Sequence, residues 1–311
     1  MKQLFFCLCV CISSGLWAQD SLFSNSGKSD AEKQPVKIFN SQKAINANTT
    51  EVVGKGKMEF KVGHNFGDVG GSNGGVRRFF GLDNAADIRI AFEIGLGKKF
   101  DLIVGRTRGA STVAQLQELG FKYQLANQYE NDPSHPFSLA VFGNAVLITQ
   151  KANKIDNQDN SFRSFSDRMS YTLQAILARK MGRVSVQLNP TLVTRGYSIS
   201  YDQNTLFALG GALRFPVSKN VHLIMDYFHT FRNQASKDSF KVKSNIKFYD
   251  AIGVGFEIKV GGHNFNLNFT NATELLENRF IPRTVSTWTN GQFRWGFTIS
   301  RTFVIARQKE K

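Results

Sequence analysis

Five histidines, His64, His135, His222, His229 and His263, are where acid–base or metal chemistry would start. Imidazole titrates near neutrality and is a common metal ligand. His222 and His229 are seven positions apart on one alternating stretch. In an extended strand they face opposite ways and cannot share a metal. His229 has Asp226 and Thr230 beside it, the ingredients of a lipase-like site. A hydrolase needs its base, acid and nucleophile on one side. Asp226 falls on the face opposite His229, so the set does not converge. His64 and His263 lie beside Gly63 and Gly262, and His135 lies between Pro133 and Pro136. "DNQDNS" (Asp156 to Ser161) lacks the Gly and the distal Glu of a calcium loop. "GGSNGG" (70–75) lacks the Lys-Ser/Thr ending of a phosphate loop. The three cysteines, Cys7, Cys9 and Cys11, all fall in the first 19 residues. No catalytic residue, metal ligand or cofactor is expected, and the chain reads as a non-enzyme.

What recurs along the chain is alternation. In "DIRIAFEIGL", Ile88, Ile90, Phe92, Ile94 and Leu96 share one side, while Asp87, Arg89, Ala91, Glu93 and Gly95 share the other. Twelve such stretches can be marked, at 56–66, 86–96, 100–108, 113–126, 137–149, 167–180, 183–195, 204–216, 220–231, 247–260, 263–271 and 291–305. Most run nine to fourteen residues. Strands of soluble domains are typically about 5–6 residues, whereas a tilted membrane-crossing strand needs about 9–11.

Connections alternate too. "GKK" (97–99), "MG" (181–182), "SK" (218–219) and "GG" (261–262) are tight hairpin turns. Between them come long polar stretches at 67–85, 150–166, 232–246 and 272–290. Membrane barrels have short periplasmic turns and long outer loops. The segment 127–136 is longer than an inner turn should be. These features predict an all-β fold, a transmembrane antiparallel up-and-down barrel of about twelve strands. Its apolar faces would meet lipid and its polar faces a wet lumen. Closure leaves no unpaired strand edge in hydrocarbon. A soluble sandwich would have to fit twelve long, aromatic faces into a thin core. The expected lumen-lining residues are Lys57, Glu59, Lys61, Asp87, Arg89, Glu93, Lys122, Asp226, Glu257, Lys259 and Arg294. Phe66, Phe100, Tyr227, Phe231, Trp295 and Phe303 would form interfacial girdles. Arg301 shares a face with Phe297 and Ile299, so it should sit at the periplasmic rim or be turned inward by a bulge.

The ends read differently. Lys2, "LFFCLCVCI" (Leu4 to Ile12) and "GLWAQD" have the order of a cleaved secretory signal, placed at 1–19. Residues 20–55 are polar, either a periplasmic tail or a plug, with the tail favoured by the usual disorder of termini. The barrel is expected over 56–305 and a charged tail over 306–311. "ATELLENRF" (272–280) suggests a short helix. The net charge of +15 among 311 residues would suit nucleic acid. Export and scattered basic residues argue against that partner. Phe at 28 copies and Gly at 27, with 6 Pro, suit strands and turns.

The stretches "TTEVVGKGKMEFKVGHNFGDV", "FFGLDNAADIRIAFEIGL", "LQAILARK", "VGGHNFNLNFTN" and "WGFTISRTF" resemble an outer-membrane β-barrel family of unknown function, DUF5777. The resemblance spans about 36–305, and "GLDNA" (81–85) and "GGHNF" (261–265) are its most specific pieces. It implies a barrel in the outer membrane of a diderm bacterium and no assigned activity. "VIARQKEK" after Phe303 departs from the usual final aromatic. The expected role is a narrow pore or binding barrel for small polar or anionic solutes, weakly anion-preferring, with outer-membrane lipids as surroundings. The alternative is a non-conducting structural barrel whose loops at 67–85, 150–166, 232–246 and 272–290 meet outside partners.

Overall fold

The computed structural model describes residues 34–109 and 111–306. The expected signal and the end of the charged tail lie outside the described residues. Among those described, twelve strands follow one another: β1 Lys57–Asp68, β2 Ala85–Gly95, β3 Phe100–Gly109, β4 Gln115–Ala126, β5 Ser138–Ile148, β6 Met169–Met181, β7 Val184–Arg195, β8 Thr205–Pro216, β9 Val221–Phe231, β10 Ala251–Val260, β11 His263–Thr270 and β12 Arg294–Val304. Each pairs antiparallel with its sequence neighbours, and β1 pairs with β12 to close the barrel. The closing seam runs from Lys57 opposite Val304 to Asn65 opposite Gly296 before a register shift. The strands lie within a few residues of the alternating stretches. β10 and β12 start later than expected, at Ala251 and Arg294.

Alternation sets which side faces out. Ile90 and Phe92 are 44% and 39% exposed, while Ala91 and Glu93 are 0% and 4% exposed. Leu177, Leu188, Leu213 and Tyr227 are exposed on the outer wall in the same way. A one-residue slip would exchange the two faces, so this pattern fixes the register. Among the described residues no helix is long and apolar enough to cross a membrane. Strands of 8 to 13 residues make the wall.

At one end the connections 96–99, 182–183, 217–220 and 261–262 are short. The exception, between Ala126 and Ser138, has a physical reason. Val36 N donates to the Gln128 carbonyl at 2.8 Å, and Pro35 bridges to Tyr129. This connection is long because it also pairs with the chain entering the barrel. At the other end, 69–84, 149–168, 232–250 and 271–293 are long.

Two helices interrupt the loops of that end. α1 (Gln234–Ser244) was not expected from the sequence. Its first turn is capped by Asn233, which accepts from Ser236 N at 2.7 Å, and its end by the left-handed Asn245. α2 (Glu277–Arg283) lies C-terminal to the centre of the expected helix at 272–280. Arg301 is exposed and lies in register opposite His263, beside the β10–β11 turn. It sits at the short-turn rim over the Phe303 ring, at 5.2 Å, and no inward bulge is needed.

Candidate functional site

Two pieces of the chain fill the lumen. For residues 20–55 the sequence leaves a tail and a plug open and favours the tail; residues 20–33 lie outside the described residues. Ile38, Phe39, Ala44, Asn46, Ala47, Thr49 and Thr50 are nearly inaccessible to solvent. The segment turns tightly, with Lys43 bridged to Asn48 and Ala44 N donating to the Ala47 carbonyl at 2.8 Å. The loop at 272–290 is, under the alternative of a structural barrel, one of four expected to meet outside partners. Its α2 is buried from Glu277 through Pro282 and packs against β6, β7 and β9.

The physical reason is the same for both. A polar wall presents donors and acceptors that must be satisfied when buried, and backbone groups of an irregular segment can satisfy them. Asp226 accepts from the backbone N–H of Ile45 (3.2 Å), Asn46 and Ala47 (2.8 Å). Glu257 accepts from Asn40 N at 3.2 Å and Ser41 Oγ at 3.0 Å, and pairs with Arg214 at 3.1 Å. Lys122 Nζ donates to the carbonyls of Gln42 (2.8 Å) and Glu51 (3.3 Å). Gln187 and Asn189 donate to the Asn48 carbonyl at 2.7 and 2.9 Å. Asp101 accepts from Val53 N at 2.7 Å. On the loop side, Asp87 accepts from Leu275 N at 2.7 Å, and Arg294 pairs with Asp68 and donates to Thr273.

Elsewhere side chains of the wall pair with one another. Lys61 pairs with Glu93 at 2.7 Å and Glu59 at 3.4 Å, and Arg89 with Glu118 at 2.7 Å. Of the residues expected to line the lumen, Glu59, Lys61, Asp87, Arg89, Glu93, Lys122, Asp226, Glu257 and Arg294 are buried. They do not converge on one another as a single site. Most hold the segment, the loop or each other. Lys57 and Lys259 are exposed and border a cavity at the short-turn end.

The two inserted pieces meet. Lys43 Nζ lies 2.7 Å from Glu277 Oε1 and donates to the Leu275 carbonyl at 2.9 Å. Asn48 Nδ2 donates to the same Glu277 oxygen at 3.1 Å. The space beside this junction measures about 20 Å³, room for about one water.

The interior is not wholly polar, which the sequence reading missed. Ile38, Phe39, Phe280 and Ile281 of the inserted pieces form an apolar cluster with Ala178, Ala208, Ala212, Phe228 and Ala251 of the wall. Phe228 meets Phe280 edge-on at 5.1 Å. The small inward alanines on one side of the barrel were the available signal. Above this cluster, Asp202 gathers Arg195 (3.0 Å), Arg232 and Arg283 (3.9 Å). Burial would raise the Asp202 carboxyl, but the three arginines hold it below the usual aspartate value.

His222 faces inward, 3.3 Å from the Asn40 amide, while His229 faces outward. His229 is paired with Asp250 at 3.0 Å, not with Asp226. Among the described residues, no three His, Cys, Asp or Glu side chains could hold a metal ion.

The family described as a membrane bound beta barrel domain (DUF5777) matches residues 39–303, which takes in the inserted segment as well as all but the edges of the wall. The chain belongs to this family. No curated protein matches this DUF5777 barrel. Among solved structures it is similar to the NanC porin, at 6% identity and a TM-score of 0.45, over 79% of this chain and 98% of that one. The KdgM porin matches at 11% and 0.45, over 79% and 99%. An outer-membrane channel from Pseudomonas putida F1 matches at 12% and 0.44, over 82% and 98%.

Proposed function

We propose that this DUF5777 barrel is a narrow pore, exported to the outer membrane of a diderm bacterium and closed at rest, for small polar or anionic solutes. Its short-turn end then faces the periplasm and its long loops face outward. The observation that carries the reading is how residues 36–53 are held. They are fixed to the wall largely by hydrogen bonds to side chains of the strands, such as Asp226, Glu257 and Lys122. They add no strand to the barrel, so they can leave without unpairing it. The bonds they release can be remade to water in an opened lumen.

Conductance in planar bilayers tests the reading. The full chain should show rare, small openings. A variant lacking residues 20–50 should open readily, with a modest preference for anions. Silence from both would favour the second reading, a non-conducting structural barrel. The apolar contact of Phe228 with Phe280 supports that alternative, because it resembles a packed core more than a water path. We read the barrel as not being an enzyme. The His229–Asp250 pair stands on the outer wall, and no serine or threonine is hydrogen-bonded to His229 among the described residues.

A further inference from the structure

Among the described residues, three lysines at the short-turn end make no salt bridge. Lys37 belongs to the inserted segment, Lys57 to the start of β1 and Lys259 to the end of β10. All three line one cavity of about 310 Å³, together with Asn40, Asn264 and His263. None of the three lysines forms an ion pair among the described residues, whereas Lys43 and Lys61 do. The one carboxylate on the cavity, Glu59, lies 3.4 Å from Lys61. Lys37 and Lys259 are also close enough to repel. Partial removal from water holds the Lys37 amine below its ordinary value; Glu51 and Glu257 act the other way, and Lys259 adds to the depression.

Like charges are not held together without reason, because their repulsion opposes the closed arrangement. An anion between them would turn that repulsion into attraction. We propose that this periplasmic cavity binds a compact polyanion, which bridges Lys37 of the segment to Lys57 and Lys259 of the wall. The volume is at the lower end of ligand cavities, which run about 300–1,000 Å³, so the anion is small. Asn40 and Asn264 each spend an amide hydrogen inside the protein, on His222 and Glu257, and Thr302 its hydroxyl on Glu59, so the second amide hydrogens and the Ser300 hydroxyl are what the cavity offers to the ligand's oxygens. The proposal deepens the closed-pore reading and rests on it for the sidedness of the cavity. Because the anion touches both segment and wall, it binds the closed state better and favours it.

The test is calorimetric titration of the purified full chain in detergent with citrate, with pyrophosphate and with glucose, at low salt. Citrate or pyrophosphate should bind and glucose should not, and added salt should weaken the binding because the charges are partly exposed. The two anion arms separate a carboxylate ligand from a phosphate one. The double variant Lys37→Gln with Lys259→Gln should bind about tenfold or more weakly, and the arginine pair at the same positions should restore binding. Heat-modifiable gel mobility reports that each variant keeps its barrel. Should the double variant lose its barrel, Lys57→Gln alone, at the exposed strand end, should still weaken binding severalfold. No binding of either anion to the full chain, or equal binding by a folded glutamine variant, overturns the site. Binding without conductance keeps the site and removes the pore; conductance without binding does the reverse.

Discussion

Lys43 and Glu277 join the two pieces of chain that enter the barrel from opposite ends, with Nζ and Oε1 2.7 Å apart. Glu277 is buried, and Asn48 donates to the same oxygen. Removing one partner of a buried pair costs about 3–5 kcal/mol, because the other charge is left without compensation. The barrel's strand pairing does not depend on this contact. Lys43→Met should therefore leave the barrel folded while loosening the junction. In bilayers it should open more often than the unaltered chain, by about tenfold or more if the loss is expressed in the closed state. Lys43→Met together with Glu277→Gln should recover part of the closure, since no charge is then left unpaired.

Gly253 offers a way to displace the segment without touching a charge. A side chain there would meet Ile45 Cγ2 at 2.8 Å and Asp226 Oδ1 at 2.6 Å. The wall is bare at this point so that the segment can lie against it. Gly253→Val should push residues 45–47 off Asp226. The expected outcome is faster protease cleavage within 36–53 in folded protein, from the side the short turns face. Unchanged cleavage would mean that the wall, not the segment, gives way.

The wall was legible because alternation is a local property. Each of "DIRIAFEIGL" and its counterparts announces its two faces by residue type alone, and length then selects a membrane over a sandwich. What lies inside was not legible for the opposite reason. Asn40 finds Glu257, and Asn46 finds Asp226, across most of the chain. Nothing near Asp226 in sequence says that three backbone N–H groups will arrive from residues 45–47. The charged residues suggested a wet interior in general, and they could not say that the water is replaced by chain. The long turn between β4 and β5 was a visible anomaly, and its pairing with Val36 and Pro35 makes it, in hindsight, the sequence sign of the entering segment. Helix α1 escaped because a single buried apolar residue, Phe240, anchors it.

Asp202 gives the loops of the long-loop end a dependence on pH. Its carboxyl is held below the ordinary value of 3.8 because Arg195, Arg232 and Arg283 outweigh burial. A depressed carboxyl stabilises the folded arrangement above its unfolded value, and that stabilisation is lost as pH falls through the folded value. The loops should stay closed from neutral pH down to about 4 and loosen only below that. Asp202→Asn should show the loosened state at neutral pH. The check is the rate of limited proteolysis within 196–204 and 232–250: wild type slow at pH 7, the variant fast. A wild-type transition near pH 6 would assign the switch to another group.

The two faces of the wall make opposite demands on charge, and that can be measured at Phe92 and Arg301. Phe92 is on the outer face, opposite Phe60 on β1 and Val104 on β3, whereas Ile90 already faces Arg106. An arginine at the middle of a bilayer on a lipid-facing position costs about 2–4 kcal/mol, and little near an interface. Phe92→Arg should therefore lower the stability of the barrel in lipid vesicles by about that amount in urea titration. Arg301, at the short-turn rim beside Phe303, should tolerate Leu with a change within about 1 kcal/mol. A water-soluble barrel with its apolar residues inside would give a different result. Phe92→Arg would then fail to fold even in detergent, and the chain would not need detergent at all.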